Sequence, residues 1–323
     1  LITELTAGVD FYTMEVSTTA FSLILQGLLI FTLALMVYRK WENDFGHALS
    51  KLYALFFYIA LQLFCIGTMW PNLTFDTDNL IAIGMNLEDS PIEGYAFLIP
   101  MIYGAFSIAI ACLLVCVVTP SHEEYRSGLL RSQKLRHMGQ PPLSRFDDNA
   151  GSTLTTMALA VSTFLFLLAV ELVMTRMGPL GDANPDALGL LRLPLVALLV
   201  TIYFAVSFEY LQFTRFALLF LMVWIVPVLL AIFAAVVFDL EEDVLYVASG
   251  SPFTLVIISA QGLVTGFMGS DEIVVIQKSY WVGIGFVGII TAYFAYRLKQ
   301  LKDRTRAQIE SADPPSAMME SHS

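Results

Sequence analysis

Fourteen of the 17 lysines and arginines in this 323-residue chain fall in four short stretches, 39–51, 120–150, 209–215 and 297–306. Each stretch lies between or beyond long apolar runs, and only Arg176, Arg192 and Lys278 stand elsewhere. Loops that stay in the cytoplasm keep Lys and Arg, because translocating them is unfavourable. The pattern therefore predicts one chain threaded repeatedly through a bilayer, with these four segments on the cytoplasmic side. Hydrophobic residues make up 57% of the chain and charged residues 14%, against roughly 25% charged in a soluble domain. So much apolar surface needs lipid as its solvent. The fold class that follows is an all-α integral membrane protein, a helical bundle of about seven spans plus one re-entrant element.

A span needs about 20 mostly apolar residues. Seven runs qualify, at about 19–38, 52–70, 95–118, 154–174, 193–208, 216–238 and 280–296. Pro71 is expected to close the second and Thr119-Pro120 the third. The segment 251–268 is apolar but short, and it holds Pro252, Gly262 and Gly266. If it crossed, the basic residues of 297–306 would lie outside, against the charge pattern. It is therefore read as re-entrant, dipping in and returning on the outer side. Such backbone is tolerated only where protein or a water cavity covers it. The transmembrane domain then covers 1–300, with the N-terminus outside and the C-terminus cytoplasmic in the cell membrane. The polar end 301–323, with Pro314-Pro315 and several Ser and Glu, has the composition of a disordered tail. An outer N-terminus without a signal-peptide pattern predicts an odd number of further spans before Leu1. The loop 71–94 has acids, no Lys or Arg, and the sequon Asn72-Leu73-Thr74.

Several chemistries lack their residues. None of the four histidines falls mid-span, where a b-type haem needs its ligands. No lysine lies inside a predicted span to form a Schiff base. No Walker, dinucleotide-binding or zinc motif is present, so no cofactor or metal is expected and no enzyme activity is read. Cys65, Cys112 and Cys116 sit inside apolar runs and read as small buried residues. A net charge of −11 argues against a nucleic-acid partner.

The candidates that remain are few. Glu171 is the ionisable residue placed inside a predicted span, about a turn from its outer end, where it can snorkel or meet Arg176. Gln26 and Gln62 are expected to make interhelical hydrogen bonds. Glu209 and Arg215 bracket the link between the fifth and sixth spans as interfacial anchors. Pro227, inside Val223-Trp224-Ile225-Val226-Pro227, is expected to kink the sixth span and is a candidate hinge. In the loop 120–150, Arg126, Arg131, Lys134 and Arg136 recur at helical spacing. They read as a short helix on the inner membrane surface and as a candidate partner-docking face.

A Trp-x-x-Pro span, an acidic outer loop, a short element opening with Ser251-Pro252 and a final span with a basic tail follow one another. This order, with the loop Thr119-Pro120-Ser121-His122-Glu123-Glu124-Tyr125-Arg126-Ser127-Gly128-Leu129, resembles the C-terminal portion of the permease subunits of type-two-class ABC exporters. The resemblance covers about residues 119–300 and implies a transport subunit that binds no ATP itself. A separate nucleotide-binding ATPase subunit would dock on its inner loops, and substrate would pass between it and a second permease half. Such permeases have six spans and an inner N-terminus, where this chain has seven and an outer one. The competing reading is a non-transporting membrane anchor or assembly subunit of a larger complex. A third reading, a seven-span receptor, fits poorly, because Asp/Glu-Arg-Tyr, Asn-Pro-x-x-Tyr and an outer-loop cysteine pair are all missing.

Overall fold

The computed structural model describes residues 8–42, 48–74, 98–144, 146–147, 150–177, 187–238, 244–261 and 270–312. It is an all-α bundle with seven helices long and apolar enough to cross a membrane. Helices α1 (Thr18–Glu42), α2 (Lys51–Leu73), α3 (Leu98–Val118) and α5 (Thr153–Met177) each supply one span. Helix α4 (His122–His137) is polar and lies between α3 and α5. Helix α6 (Ala187–Phe220) carries the fifth span and starts the sixth, which continues through a π-helical turn at Leu221–Ile225 into α7 (Val226–Phe238). Two short helices follow, α8 (Val244–Ala248) and α9 (Pro252–Gln261), and then α10 (Ser270–Ala312).

The fifth and sixth spans join through a single residue. Gln212 takes φ 60° and ψ 174°, a backbone region open almost only to glycine. Its side-chain amide donates to the Glu209 carbonyl at 3.2 Å, capping the end of the fifth span. Phe204, Phe208, Phe216, Phe220 and Trp224 form a continuous ring-to-ring ladder across this turn, with centroids 4.8 to 6.2 Å apart. The i, i+4 spacing of these aromatics holds the two spans side by side.

At this basic end Lys51 is fully buried. Its ammonium donates to the carbonyls of Asp147 (2.6 Å) and Ala150 (2.5 Å), tying the start of α2 to the approach to α5. At the opposite end a hairpin of β1 (Gly8–Phe11) and β2 (Met14–Ser17) lies on α2. The Tyr12 amide donates to the Gly67 carbonyl at 2.9 Å and its hydroxyl to the Leu63 carbonyl at 2.8 Å. A methyl on Gly67 would lie 2.6 Å from the rings of Phe11 and Tyr12, so this contact requires glycine.

Several expectations need correction. Pro71 does not close α2, which runs on to Leu73. The last helix does not give way to a disordered tail at 301. It continues to Ala312, because Leu298 and Ile309 are buried, and only 313–323 lie outside the described residues. Helix α4 packs along the end of α10. Its His122 and Tyr125 line a cleft with Leu301, Lys302 and Thr305. Its Leu129, Ser132 and Arg136 line another with Arg306 and Ile309. The two helices thus run side by side in the same direction. At 1.5 Å per residue α10 is about 64 Å long, roughly twice a hydrocarbon core, so the pair projects beyond the spans. The acids of 75–97 and those of 239–243 lie outside the described residues.

Candidate functional site

The sixth span is broken where a shorter element meets it. The Val226 amide donates to the Leu221 carbonyl, five residues back rather than four. Pro227 follows and has no N–H to give to the turn before it. A π turn leaves backbone groups open to outside partners. Here the partner is Ser251, whose hydroxyl donates to the Trp224 carbonyl at 2.7 Å. Ser251 is fully buried and immediately precedes α9.

The path around Ser251 follows from chain direction. The sixth span starts at the basic end and leaves the bundle after Phe238, and α10 enters at Ser270 running back toward the basic end. Both exits are at the same, opposite end, and α9 is about 15 Å long, half a hydrocarbon core. The segment from α8 to α9 therefore dips inward, with Ser249-Gly250-Ser251 at its innermost point. The dip is tightly held. A methyl on Gly283 of α10 would lie 2.6 Å from the Ser249 carbonyl oxygen and 2.7 Å from the Leu255 side chain. Gly285 and Gly288 face open space, so of these three glycines only Gly283 serves close packing. Leu255, Ile258 and Ala260 bury α9 among α3, α6 and α10.

The intramembrane polar candidates separate. Gln62 is fully buried, and its amide oxygen accepts from Tyr103 (2.5 Å) and Ser107 (3.0 Å) of α3. One turn away, the Tyr58 hydroxyl meets Thr163 of α5 at 2.6 Å, and Thr163 in turn donates to the Leu159 carbonyl at 2.8 Å. These bonds lock α2, α3 and α5 together. Gln26 is exposed on α1 and makes no interhelical bond among the described residues, contrary to expectation. Glu171 neither snorkels nor meets Arg176. It is 0% exposed, and neither carboxylate oxygen has a hydrogen-bond partner among the described residues.

Arg192 falls one residue before the fifth span expected at 193–208, yet it lies in the second turn of α6 and is 3% exposed. Its guanidinium stands 5.7 Å from the Tyr280 ring centroid, and its Nε and one terminal nitrogen have no hydrogen-bond partner among the described residues. Leu167 and Leu193 both approach within 3.4 Å of where a Gly104 methyl would be. This sets α5 and α6 in register and places Glu171 and Arg192 within about one helical turn of the same level. The signal available in the sequence was an arginine inside the apolar run 189–200.

At the basic end, Lys302 pairs with Glu209 at 2.7 Å and donates to Thr153 at 3.3 Å. Ser152 donates to the same carboxylate at 2.9 Å, and Lys302 stands 5.6 Å from the Tyr125 ring. His122 Nε2 donates to the Tyr210 carbonyl at 3.2 Å. Four helices, α4, α5, α6 and α10, are thereby clasped around Glu209. A capping box at Ser121 and Glu124 fixes the start of α4. The predicted docking residues Arg126, Arg131, Lys134 and Arg136 are all exposed on α4, and Arg136 also lines the cleft against α10.

Among the described residues no group of three or more His, Cys, Asp or Glu stands together to hold a metal. What the arrangement offers is a break in one span, joined by a hydrogen bond to an inward dip, together with Glu171 and Arg192, buried with polar atoms that have no partner among the described residues. No protein-family model, curated protein or solved structure matches this chain.

Proposed function

We propose that this protein is the permease-like subunit of an ATP-driven transporter. It moves substrate across the cell membrane, with its C-terminus cytoplasmic, and works with a separate ATPase subunit and a second permease half. The observation that carries this reading is the 2.7 Å bond from Ser251 to the Trp224 carbonyl. Non-helical backbone at membrane depth is tolerated only when protein or a water-lined path covers it, and broken helices of this kind mark transport routes. A π turn followed by proline gives the sixth span a place to bend, and Ser251 links that bend to the dip between α8 and α9. Force applied at α4 has a rigid route inward, because α4 is clasped to α6 through His122 and to α10 through Lys302.

The test uses the complex purified from native membranes and placed in vesicles with ATP. Ser251→Ala removes the bond and leaves the fold's apolar packing intact. Flux should fall several-fold while the subunits still co-purify. ATP-dependent flux equal to wild type removes the gating role, and an intact complex that moves nothing with ATP favours the anchor reading.

A further inference from the structure

Helices α5 and α10 pack on either side of α6 and not closely on each other. Between them, where the spans reach the basic end, lies a cleft of about 350 Å³. Its floor and walls are apolar: Ile202 and Val206 of α6, Met157 of α5 and Ala295 of α10. Its rim is charged. Lys302 and Glu209 neutralise each other there, while Lys299 and Arg306 are exposed and have no ion-pair partner among the described residues. Asp303, also on the rim and also unpaired, leaves one net positive charge. The cleft opens onto the lipid-facing side of α5, where Leu154, Met157, Val161 and Leu165 are 40 to 56% exposed.

We infer that this cleft binds one anionic phospholipid from the leaflet at the basic end. The lipid's phosphate would lie between Lys299 and Arg306, its glycerol and first methylenes in the cleft, and its chains along α5. An apolar slot continuous with a lipid-facing helix surface admits acyl chains and excludes soluble anions. Two unpaired cations at its mouth favour a headgroup with net negative charge over a zwitterion, as basic pockets between spans do. The long side chains of Lys299 and Arg306 can reach back along the surface to the phosphate level. The position also gives the lipid a consequence, since it would touch the Glu209–Lys302 clasp.

The full chain, purified in mild detergent, is mixed with phosphatidylglycerol, with phosphatidylcholine of the same chains, or with inorganic phosphate alone. Bound lipid is counted by native mass spectrometry and thermal unfolding is followed in parallel. The expected result is at least fivefold more retained phosphatidylglycerol than phosphatidylcholine, an upward shift of Tm with phosphatidylglycerol only, and no shift with phosphate. The double variant K299Q/R306Q should bring the two lipids to equal retention. Met157→Trp, which fills the slot without touching a charge, should lower retention of both. Equal retention of the two lipids by the wild type overturns the inference. So does undiminished phosphatidylglycerol binding by K299Q/R306Q, or a phosphate-only shift as large as the lipid's. None of these readouts involves transport, so the result stands apart from the functional proposal.

Discussion

Glu171 and Arg192 are costly residues to hold where they are. A buried polar group without a hydrogen bond costs about 1–3 kcal/mol by mutational measures, and charged groups more. Among the described residues neither oxygen of Glu171 has a hydrogen-bond partner, nor have two nitrogens of Arg192. Strain of this kind persists where function requires it. Glu171→Leu keeps similar volume and removes the unpaired oxygens. It should raise stability by about 1–3 kcal/mol, seen as an increased Tm in detergent, and should lower flux. A more stable variant with full flux would sink the functional reading of Glu171. A less stable variant would mean that the carboxylate finds a partner in the membrane. Gln62 is half satisfied: its oxygen accepts two bonds from α3, which fixes the helices, while its amide nitrogen has no partner among the described residues.

At the scale of elements, the sixth span and α9 form one device. The π turn at Leu221–Ile225 is followed immediately by Pro227, so the break is built from two adjacent features. Pro227→Ala restores an N–H and lets a regular helix run through. Proline inside a regular helix costs about 3 kcal/mol in soluble hosts, so relief of part of that should raise Tm. Straightening moves the Trp224 carbonyl away from Ser251, so the same variant should lose flux while its expression holds. Hydrogen exchange around 249–261 gives the direct readout. Faster exchange there in Pro227→Ala supports the coupling, and unchanged exchange reduces the kink to packing. Gly283 explains why the dip has no slack, since any side chain there meets the Ser249 carbonyl.

For the whole molecule, the clasp around Glu209 makes the basic end rigid, and the paired α4 and α10 reach beyond it. Arg126, Arg131 and Lys134 are exposed on this projection, which is the surface a water-soluble subunit would meet. Reversing the three to Glu should release that partner, with membrane insertion and Tm unchanged, because all three are exposed. Co-purification of the same subunits at wild-type ratio from the reversed variant would remove α4 from the interface. Arg136 is left out of this variant because it lines the cleft against α10, where a charge reversal would disturb packing as well.

The bundle itself was legible in the sequence because lipid imposes a one-dimensional rule. Long apolar runs must cross, and lysine and arginine must stay behind, whatever the spans touch. That rule gave seven spans and the position of their basic links, including the link at 209–215, but not its reduction to a single non-helical residue, Gln212. It could not say which polar residue is buried, because burial depends on which helix face meets another. Gln26 and Gln62 look alike along the chain, and only packing exposes one and encloses the other. Arg192 stands one residue before the fifth span expected at 193–208, whereas α6 begins at Ala187 and draws it beside Tyr280. The extension of α10 past 301 was hidden for the same reason: its sequence is polar, and its helix is held by α4 across a gap of some 170 residues. The sequence by itself determined that this chain is an all-α bundle with seven helices long and apolar enough to cross a membrane. The tertiary structure decided where its charges go unpaired, and which serine reaches the broken span.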